Sequence, residues 1–223
     1  RFRFFRWDSE FIFEATGTDM SERGGTENPA GLHKRHRSSP EYRARFGDRV
    51  HKYYFNGGPY TPAVQKAHSL ERSDQISAAM VAESARWGDY RRDVDRQGIA
   101  GPFELLERDV HWMAERERLL TEYFPVRTEI VVEQYRQLNL FPETPAPLFN
   151  IRGGSISSAD GIELSAPSGT IYYTTDGTDP RLPGGEINPG ASEFSGAFQL
   201  EAPATVNARV FNDGEWSAVD TAR

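Results

Sequence analysis

An acidic corner near the start of the chain is the strongest local candidate for metal chemistry. Asp8 follows an apolar, aromatic run and begins the polar corner Asp8-Ser9-Glu10. Mg²⁺ prefers carboxylate oxygens, commonly one or two from the protein and the rest from phosphate and water. Glu10 lies two residues on, the spacing that places two side chains on the same side of a strand. The pattern indicates Asp8 as a metal ligand, and an acidic turn former or salt-bridge partner is the alternative.

Two charged runs in the first half of the chain could bind ligands. The run Glu83-Ser-Ala-Arg-Trp-Gly-Asp-Tyr-Arg-Arg92 offers Arg86 for bidentate hydrogen bonds and Trp87 for stacking. A structural ion-pair cluster that closes a helix is the other interpretation. The basic run His33-Lys-Arg-His-Arg37 could bind phosphate or an acidic partner. The alternative is a solvated basic segment at the start of a helix. His33 and His36 lack a third ligand with metal-binding spacing.

The second half offers two weaker candidates. Asp176-Gly-Thr-Asp-Pro180 resembles the start of a calcium loop, but Ile187 stands where an EF-hand needs glutamate, so a turn between strands is predicted. Tyr172, Tyr173 and Trp216 could form a sugar-stacking surface, with packing in or between sheets as the alternative.

Several classes of site are excluded by residue content. The chain has no cysteine, which excludes disulfide scaffolds, zinc ribbons, iron–sulfur clusters and thiol catalysis. It has no Gly-rich phosphate loop followed by a helix with a lysine, and no G-x-S-x-G elbow. No apolar run approaches the roughly 20 residues of a membrane span.

The charge divides the chain into two parts. The net charge of −7 disfavours nucleic acid as a partner. From Glu143 to the end there are 4 basic and 11 acidic residues, whereas residues 1–142 have 22 of each and contain all 5 histidines. Two compositions within 223 residues predict two domains.

The elements that would position these residues follow from periodicity and turn chemistry. Residues 1–15 are predicted to form a hairpin of Phe2–Trp7 and Phe11–Glu14, followed by a polar, Gly-rich loop over 16–31. Residues 32–139 are predicted to be helical, with starts at Ser39-Pro40 and Thr61-Pro62, breaks at 98–102 and an interruption at Pro125. Four short strands are predicted at 162–164, 169–175, 198–200 and 205–211, with turns at Asp176-Gly177 and Asp213-Gly214. The expected fold class is α+β and multidomain, with a short N-terminal hairpin, a mainly helical part and a small all-β sandwich.

Residues 3–142 resemble the C-terminal part of the bacterial CotH-like family, the spore-coat-protein-H type of atypical protein kinase. The motifs that carry the resemblance are Phe4-Phe-Arg-Trp-Asp-Ser-Glu10, Pro40-Glu-Tyr-Arg-Ala-Arg-Phe46, Asp48-Arg-Val-His51, Phe55-Asn-Gly-Gly58, Glu83-Ser-Ala-Arg-Trp-Gly-Asp89 and Leu119-Leu-Thr-Glu-Tyr-Phe-Pro125. The resemblance implies a truncated kinase C-terminal lobe over 1–142. The prolines of residues 143–147 predict a linker, and the short strands beyond it predict a β-sandwich over 148–223.

The resemblance also implies a role for Asp8. Asp8 matches the family's metal-binding aspartate, which would hold Mg²⁺ against the phosphates of ATP. The full-length parent would transfer phosphate from Mg·ATP to Ser/Thr of a surface or coat protein. The nucleotide-gripping lobe, its lysine and the catalytic acid are expected upstream of Arg1, so this chain alone is expected to be inactive and to bind neither Mg²⁺ nor ATP tightly.

The tail resembles the chitobiase/β-hexosaminidase C-terminal module, an Fn3-associated β-sandwich, through the run Gly169-Thr-Ile-Tyr-Tyr-Thr-Thr-Asp-Gly-Thr-Asp-Pro180. Such modules accompany large secreted or surface proteins, which implies an extracellular or cell-surface location and possible carbohydrate contact. The alternative function is therefore a non-enzymatic interaction protein of the cell surface, in which the kinase-like region is a scaffold. A glycosidase fragment is a further alternative, although no carboxylate pair is placed by the sequence.

Overall fold

A computed structural model describes residues 12–22, 29–95, 103–157 and 160–223. The chain forms two compact units, one of residues 1–18 and 57–130 (the first unit) and one of residues 19–56 and 131–223 (the second unit). Helices predominate in the first part of the sequence and antiparallel strands in the last part, so the predicted α+β class is confirmed.

Six α-helices and two π-helical turns are present in the described residues. The helices are α1 (Pro29–His36), α2 (Pro40–Tyr54), α3 (Pro62–Trp87), α4 (Tyr90–Asp93), α5 (Met113–Arg118) and α6 (Phe124–Gln137). The π-helical turns are Arg108–Trp112 and Leu119–Tyr123, on either side of α5. The predicted helical array over 32–139 is therefore confirmed in the residues that the structure describes.

Helix α2 begins and ends where its sequence predicts. Ser39 has extended backbone angles and its side chain accepts a hydrogen bond from the amide of Tyr42 at 3.4 Å. Pro40 follows at the first helical position, where a backbone N–H has no partner within the helix, so proline costs no hydrogen bond there. Asn56 and Gly57 then take positive φ angles of 52° and 76°, which end the helix.

Pro125 changes the helix type without breaking the helical run. The Leu119–Tyr123 turn is π-helical and α6 begins at Phe124, so the proline occupies the second position of a new α-helix. Proline has no N–H for the bond to the preceding turn, so the α-helical hydrogen-bond pattern cannot run unchanged through residue 125. The interruption predicted at Pro125 is thus a change of helix type, in which the turn before the proline is a wider π-helical turn.

The predicted N-terminal hairpin is not confirmed. Its first strand, Phe2–Trp7, and its corner at Asp8 lie outside the described residues, and residues 12–14 form a turn and a bend instead of a strand. In the first unit, the hydroxyl of Tyr123 donates to the carbonyl of Ile12 at 3.0 Å and Arg118 donates to that of Phe13 at 2.6 Å. Side chains therefore satisfy backbone groups that a partner strand would otherwise bind.

The described residues of the second unit include seven short strands, which form its β part. They are β1 (Leu148–Phe149), β2 (Leu164–Ser165), β3 (Thr170–Thr174), β4 (Ser192–Glu193), β5 (Val206–Asn212), β6 (Glu215–Trp216) and β7 (Asp220–Ala222). β1 and β2 pair with each other, and the larger sheet has the order β4-β3-β5-β6, with β7 also paired to β5. All pairings between these strands are antiparallel.

Two of the predicted β features need correction. Residues 198–200 form no strand but a single bridge between Phe198 and Ile162, because the pairing does not continue. The turn at Asp176-Gly177 does not close a tight hairpin, since β3 pairs next with β4, which begins at Ser192. The predicted turn at Asp213-Gly214 is confirmed: both residues have positive φ, 48° and 86°, and connect β5 to β6.

Alternation along β5 gives the large sheet two different faces. Val206, Ala208 and Val210 point into a core shared with β1 and β2. Arg209 points to the opposite face, where it is a cross-strand neighbour of Tyr172. This opposite face is covered within the second unit by α2, whose Val50 packs with Ala218 in a separate apolar cluster.

Candidate functional site

One face of α2 carries ionisable side chains that contact the β part of the same unit. Glu41, Asp48 and His51 are separated by seven and three residues, which places them along one side of a helix. Each side chain contacts a different basic or acidic group of the sandwich. These three contacts define what we call the α2 junction.

Arg209 is the centre of the α2 junction. It is 2% exposed, yet its guanidinium makes a hydrogen bond with each of its five N–H groups. Asp48 accepts two of these bonds at 2.8 Å, Asp179 accepts two at 2.7 Å, and the carbonyl of Ser217 accepts the fifth at 2.7 Å. Burial lowers the pKa of Arg209, but the two carboxylates outweigh burial and raise it further above its ordinary value.

The N-terminal end of α2 is held by a bidentate ion pair. Arg181 donates to the two oxygens of Glu41 at 2.7 and 3.1 Å, and the amide of Gly184 donates to the same carboxylate at 2.9 Å. The bonds from Arg181 and then Gly184 lower the pKa of Glu41 to about 2. Glu41 is therefore ionised throughout the physiological pH range.

The C-terminal end of α2 meets a buried aspartate. Asp220 is 3% exposed and accepts from Arg152 at 2.7 Å, with Nε2 of His51 at 3.5 Å. Asn56 joins the same cluster when its carboxamide is oriented with the oxygen toward Arg152, an orientation that places this oxygen 2.8 Å from Nη2 of Arg152. Burial raises the pKa of Asp220, but the bonds from His51 and Arg152 outweigh it and hold the pKa below its ordinary value.

A cleft of about 650 Å³ lies beside the α2 junction, and all of its walls belong to the second unit. We call it the α2 cleft. Arginines from four different segments line it, together with three aromatic rings; these seven residues are Arg43, Arg136, Arg181, Arg209, Phe141, Phe211 and Trp216. A concave site of this size with aromatic and guanidinium groups is suited to a small ligand with an anionic group.

The three aromatic residues predicted as a sugar-stacking surface do not share one face. Tyr173 points towards the sandwich core and stacks on Phe198 at 4.3 Å between ring centroids. Tyr172 and Trp216 lie on the opposite face, 5.8 Å apart. The prediction of a three-residue sugar-stacking surface is therefore wrong, because Tyr172 and Tyr173 are adjacent in β3 and point to opposite sides of the sheet.

The basic run at the end of α1 packs on α2 instead of forming an open anion site. Nδ1 of His33 lies 2.8 Å from the hydroxyl of Tyr42, and the ring of His36 stacks on the same tyrosine at 5.9 Å. Arg37 forms an ion pair with Glu22. Burial, and then the charge of Arg37, lower the pKa of His33 below its ordinary value.

The run from Glu83 to Arg92 ends α3 on the surface of the first unit. The guanidinium of Arg86 lies 4.9 Å from the ring of Trp87, which is 50% exposed. Arg91 and Arg92 form ion pairs with Asp95 and Asp93, respectively. Ion pairs at a helix end fit the structural interpretation of this run better than an enclosed binding site.

The turn predicted at Asp176–Pro180 is confirmed, and it has a second role. Asp176 accepts from the amide and hydroxyl of Thr178 at 2.9 and 2.6 Å, which lowers the pKa of Asp176. The next carboxylate, Asp179, binds Arg209 instead of a cation. Residues 176–180 therefore form a turn and not a calcium loop, and Asp179 of this turn contributes an ion pair to the α2 junction.

The predicted metal ligand Asp8 and its neighbour Glu10 lie outside the described residues. Among residues 12–22, 29–95, 103–157 and 160–223, no group of three His, Cys, Asp or Glu side chains could hold a metal ion. The Mg²⁺ site that the kinase resemblance implies at Asp8 therefore stays a prediction. Within the same ranges, no helix has the length and apolarity required to cross a membrane.

Sequence reasoning missed the α2 junction. Arg209 was included in a predicted strand, but its outward position beside Phe211 gave a usable signal. A large cation and an aromatic ring on the side away from the core indicate that something covers that side. The identity of the covering element was not readable, since Asp48 and Arg209 are separated by 161 residues.

Comparison with known families agrees with the β part of this description. The family described as Fn3 associated matches residues 162–223, a range that contains β2 to β7. Comparison with curated proteins and with solved structures gives no match. The chain therefore carries an Fn3-associated module at residues 162–223.

Proposed function

We propose that this chain is the C-terminal region of a CotH-like atypical protein kinase, in which the Fn3-associated module anchors helix α2 and takes no part in catalysis. The observation that carries the proposal is the α2 junction. Three motif residues of the kinase resemblance, Glu41, Asp48 and His51, are the α2 residues that contact the sandwich. The motifs therefore have a positioning role in this chain, independent of any reaction.

The energetics support an anchoring role. A buried guanidinium with five hydrogen bonds is costly to separate from its carboxylates, because each partner would be left desolvated or would need to be rehydrated. The carboxylates of Asp48 and Asp179 approach Arg209 from two different segments, so the guanidinium connects α2 to the loop after β3. Such an arrangement favours one position of the helix on the sheet over others.

Hydrogen exchange of α2 tests this role. Arg181→Met removes the bidentate partner of Glu41, and we expect faster exchange of the amides in the first half of α2. Arg116→Met is the matched control, since Arg116 pairs with Asp74 in the first unit. Unchanged exchange of α2 in Arg181→Met would contradict anchoring by the module.

The kinase part of the proposal rests on the resemblance, and its metal ligand is Asp8. In a version of the protein that includes the nucleotide-binding lobe, Asp8→Ala is expected to abolish autophosphorylation, because Mg²⁺ neutralises phosphate charge during transfer. Equal autophosphorylation by the variant would remove Asp8 from the metal site. Isothermal titration of the present chain with Mg·ATP is expected to give no binding heat, and measurable binding would overturn the non-catalytic role.

We also propose a cell-surface or extracellular location for the parent protein, with a surface or coat protein as its substrate. The Fn3-associated module supports this location through its resemblance to modules of large secreted proteins. A non-enzymatic interaction protein is the second candidate, and the α2 junction favours it equally, since anchoring needs no reaction. Absence of autophosphorylation in the longer protein, with the α2 junction intact, would select this second candidate.

A further inference from the structure

The α2 cleft contains two arginines that the α2 junction does not use. Arg181 and Arg209 are occupied by Glu41 and by Asp48 with Asp179. Arg43 donates only to the carbonyls of Arg37 and Ser38, at 3.3 and 3.4 Å, and forms no ion pair with any carboxylate in the part of the chain that the structure describes. Its charge is therefore not neutralised by a described side chain.

Arg136 is the second available cation of the cleft. Its nearest carboxylates are those of Glu133 at 3.4 Å and Glu143 at 3.8 Å, which are 54% and 77% exposed. Contacts this long to mobile, hydrated carboxylates contribute little and yield readily to a better-placed anion. Its guanidinium also lies 5.4 Å from the ring of Phe141, which restrains it at the cleft wall.

Two acidic residues line the cleft, the exposed Glu143 and Glu215, and the second is already satisfied. Glu215 accepts from the amide and the hydroxyl of Thr144 at 2.8 and 2.6 Å. These bonds hold the carboxylate against the buried residue 144 and reduce its repulsion of an incoming anion. The four arginines that line the cleft therefore outnumber its two carboxylates.

Trp216 provides a fixed aromatic wall. Its indole N–H donates to the carbonyl of Gly185 at 2.7 Å, and its ring lies 4.9 Å from that of Phe211. The indole is thus held by a hydrogen bond on one side and by a ring contact on the other. A preorganised ring loses little side-chain entropy when a ligand packs on it.

We propose that the α2 cleft is a binding site for a small acidic sugar, whose carboxylate binds Arg43 and Arg136 and whose ring packs on Trp216. The volume of about 650 Å³ lies within the range of small-molecule sites and exceeds what a free inorganic anion needs. Planar guanidinium groups match the two oxygens of a carboxylate. This proposal is independent of the kinase resemblance, and it uses arginines that the anchoring role leaves available.

Isothermal titration of the full chain with trigalacturonate tests the proposal. The matched neutral probe is the fully methyl-esterified trigalacturonate, and inorganic phosphate is the probe for a bare anion. We expect saturable binding of trigalacturonate, binding of the ester at least tenfold weaker, and weak binding of phosphate. Arg43→Gln and Arg136→Gln should each weaken trigalacturonate binding by about tenfold, and Trp216→Leu by a similar factor.

Arg45→Gln is the matched control, because Arg45 is an exposed arginine of α2 that does not line the cleft. Its binding constant should equal that of the unmodified chain, and circular dichroism should show that all variants are folded. Equal binding of the acid and its ester would overturn the carboxylate contact. Equal affinity for phosphate would overturn the sugar contact, and no binding of trigalacturonate would overturn the site.

Discussion

Replacing Arg209 by methionine tests the energetics of the α2 junction most directly. Methionine keeps much of the aliphatic volume and removes the charge and all five hydrogen bonds. Removing one partner of a buried ion pair costs about 3–5 kcal/mol. The side chains of Asp48 and Asp179 are 19% and 43% exposed, so water can rehydrate them in part. We therefore expect a loss near the lower limit, about 3 kcal/mol in the free energy of unfolding of the second unit.

Amide hydrogen exchange by mass spectrometry gives this quantity for the second unit separately from the first. A loss of about 3 kcal/mol corresponds to an increase of roughly a hundredfold in the exchange rate of the most protected amides. The amides of β5, from Val206 to Asn212, are the best reporters because β5 pairs with three strands. Amides of α3 belong to the first unit and provide an internal reference.

Arg37→Met is the matched control, since Arg37 forms a partly exposed ion pair with Glu22 in the same unit. We expect a loss below about 1 kcal/mol for this variant. The double variant Asp48→Ala, Arg209→Met should lose about 2 kcal/mol less than the sum of the single losses, because neither partner is then left buried and alone. Additive losses, or a loss in Arg209→Met no larger than in Arg37→Met, would refute the reasoning.

Three further changes test the same unit. Glu41→Gln should lower stability at pH 7 by up to about 1 kcal/mol, since the partly exposed ion pair is screened by solvent. Because the folded-state pKa of about 2 lies below the ordinary value of a glutamate, the difference from the unmodified chain should vanish as urea titrations move from pH 5 towards pH 2. Asp220→Asn should cost about 2–3 kcal/mol by thermal unfolding, because a 3% exposed carboxylate with two basic partners loses its charge. The exposed Asp176→Asn should cost clearly less, and equal losses would contradict this. Gly169→Ala should destabilise the chain by at least about 1 kcal/mol more than Gly184→Ala. At Gly169 the new Cβ would lie 2.7 Å from the carbonyl oxygen of Phe211, whereas at Gly184 it would meet nothing within 4 Å. Equal midpoints of urea unfolding would refute the contact.

Local chemistry made part of the fold predictable. The start of α2 follows from a serine cap and a proline within two residues, and its end follows from Asn56-Gly57. The turn between β5 and β6 follows from Asp213-Gly214 for the same reason. In each case the residues that decide the structure are neighbours in sequence.

The α2 junction was not predictable because its partners are distant in sequence. Glu41 and Arg181 are separated by 140 residues, so no periodicity relates them. Residues 143–147 were predicted as a proline-punctuated linker from composition alone. In the structure Thr144 is 6% exposed and donates a hydrogen bond to Glu215. Glu215 belongs to β6, so this contact forms only when the sheet has folded and is not visible in the composition of residues 143–147.

The division of the chain at 143–147 stays a prediction, and the compact units show a different aspect of its organisation. The second unit takes residues from both sides of that segment. A boundary drawn from composition follows the change from helical to β sequence. A boundary drawn from packing follows instead the element that covers the outer face of the sheet, which here is α2.

The separation of α2 from its sheet has a consequence for synthesis on the ribosome. Asp48 is translated 161 residues before Arg209. At about 5–20 residues per second, the guanidinium of Arg209 is therefore made roughly 8–30 s after Asp48. During that interval the acidic face of α2 is hydrated, while Val50 lacks the Ala218 side of its apolar cluster. The charges keep this early helix compatible with water, and arrival of the last strands completes the second unit in a single late step.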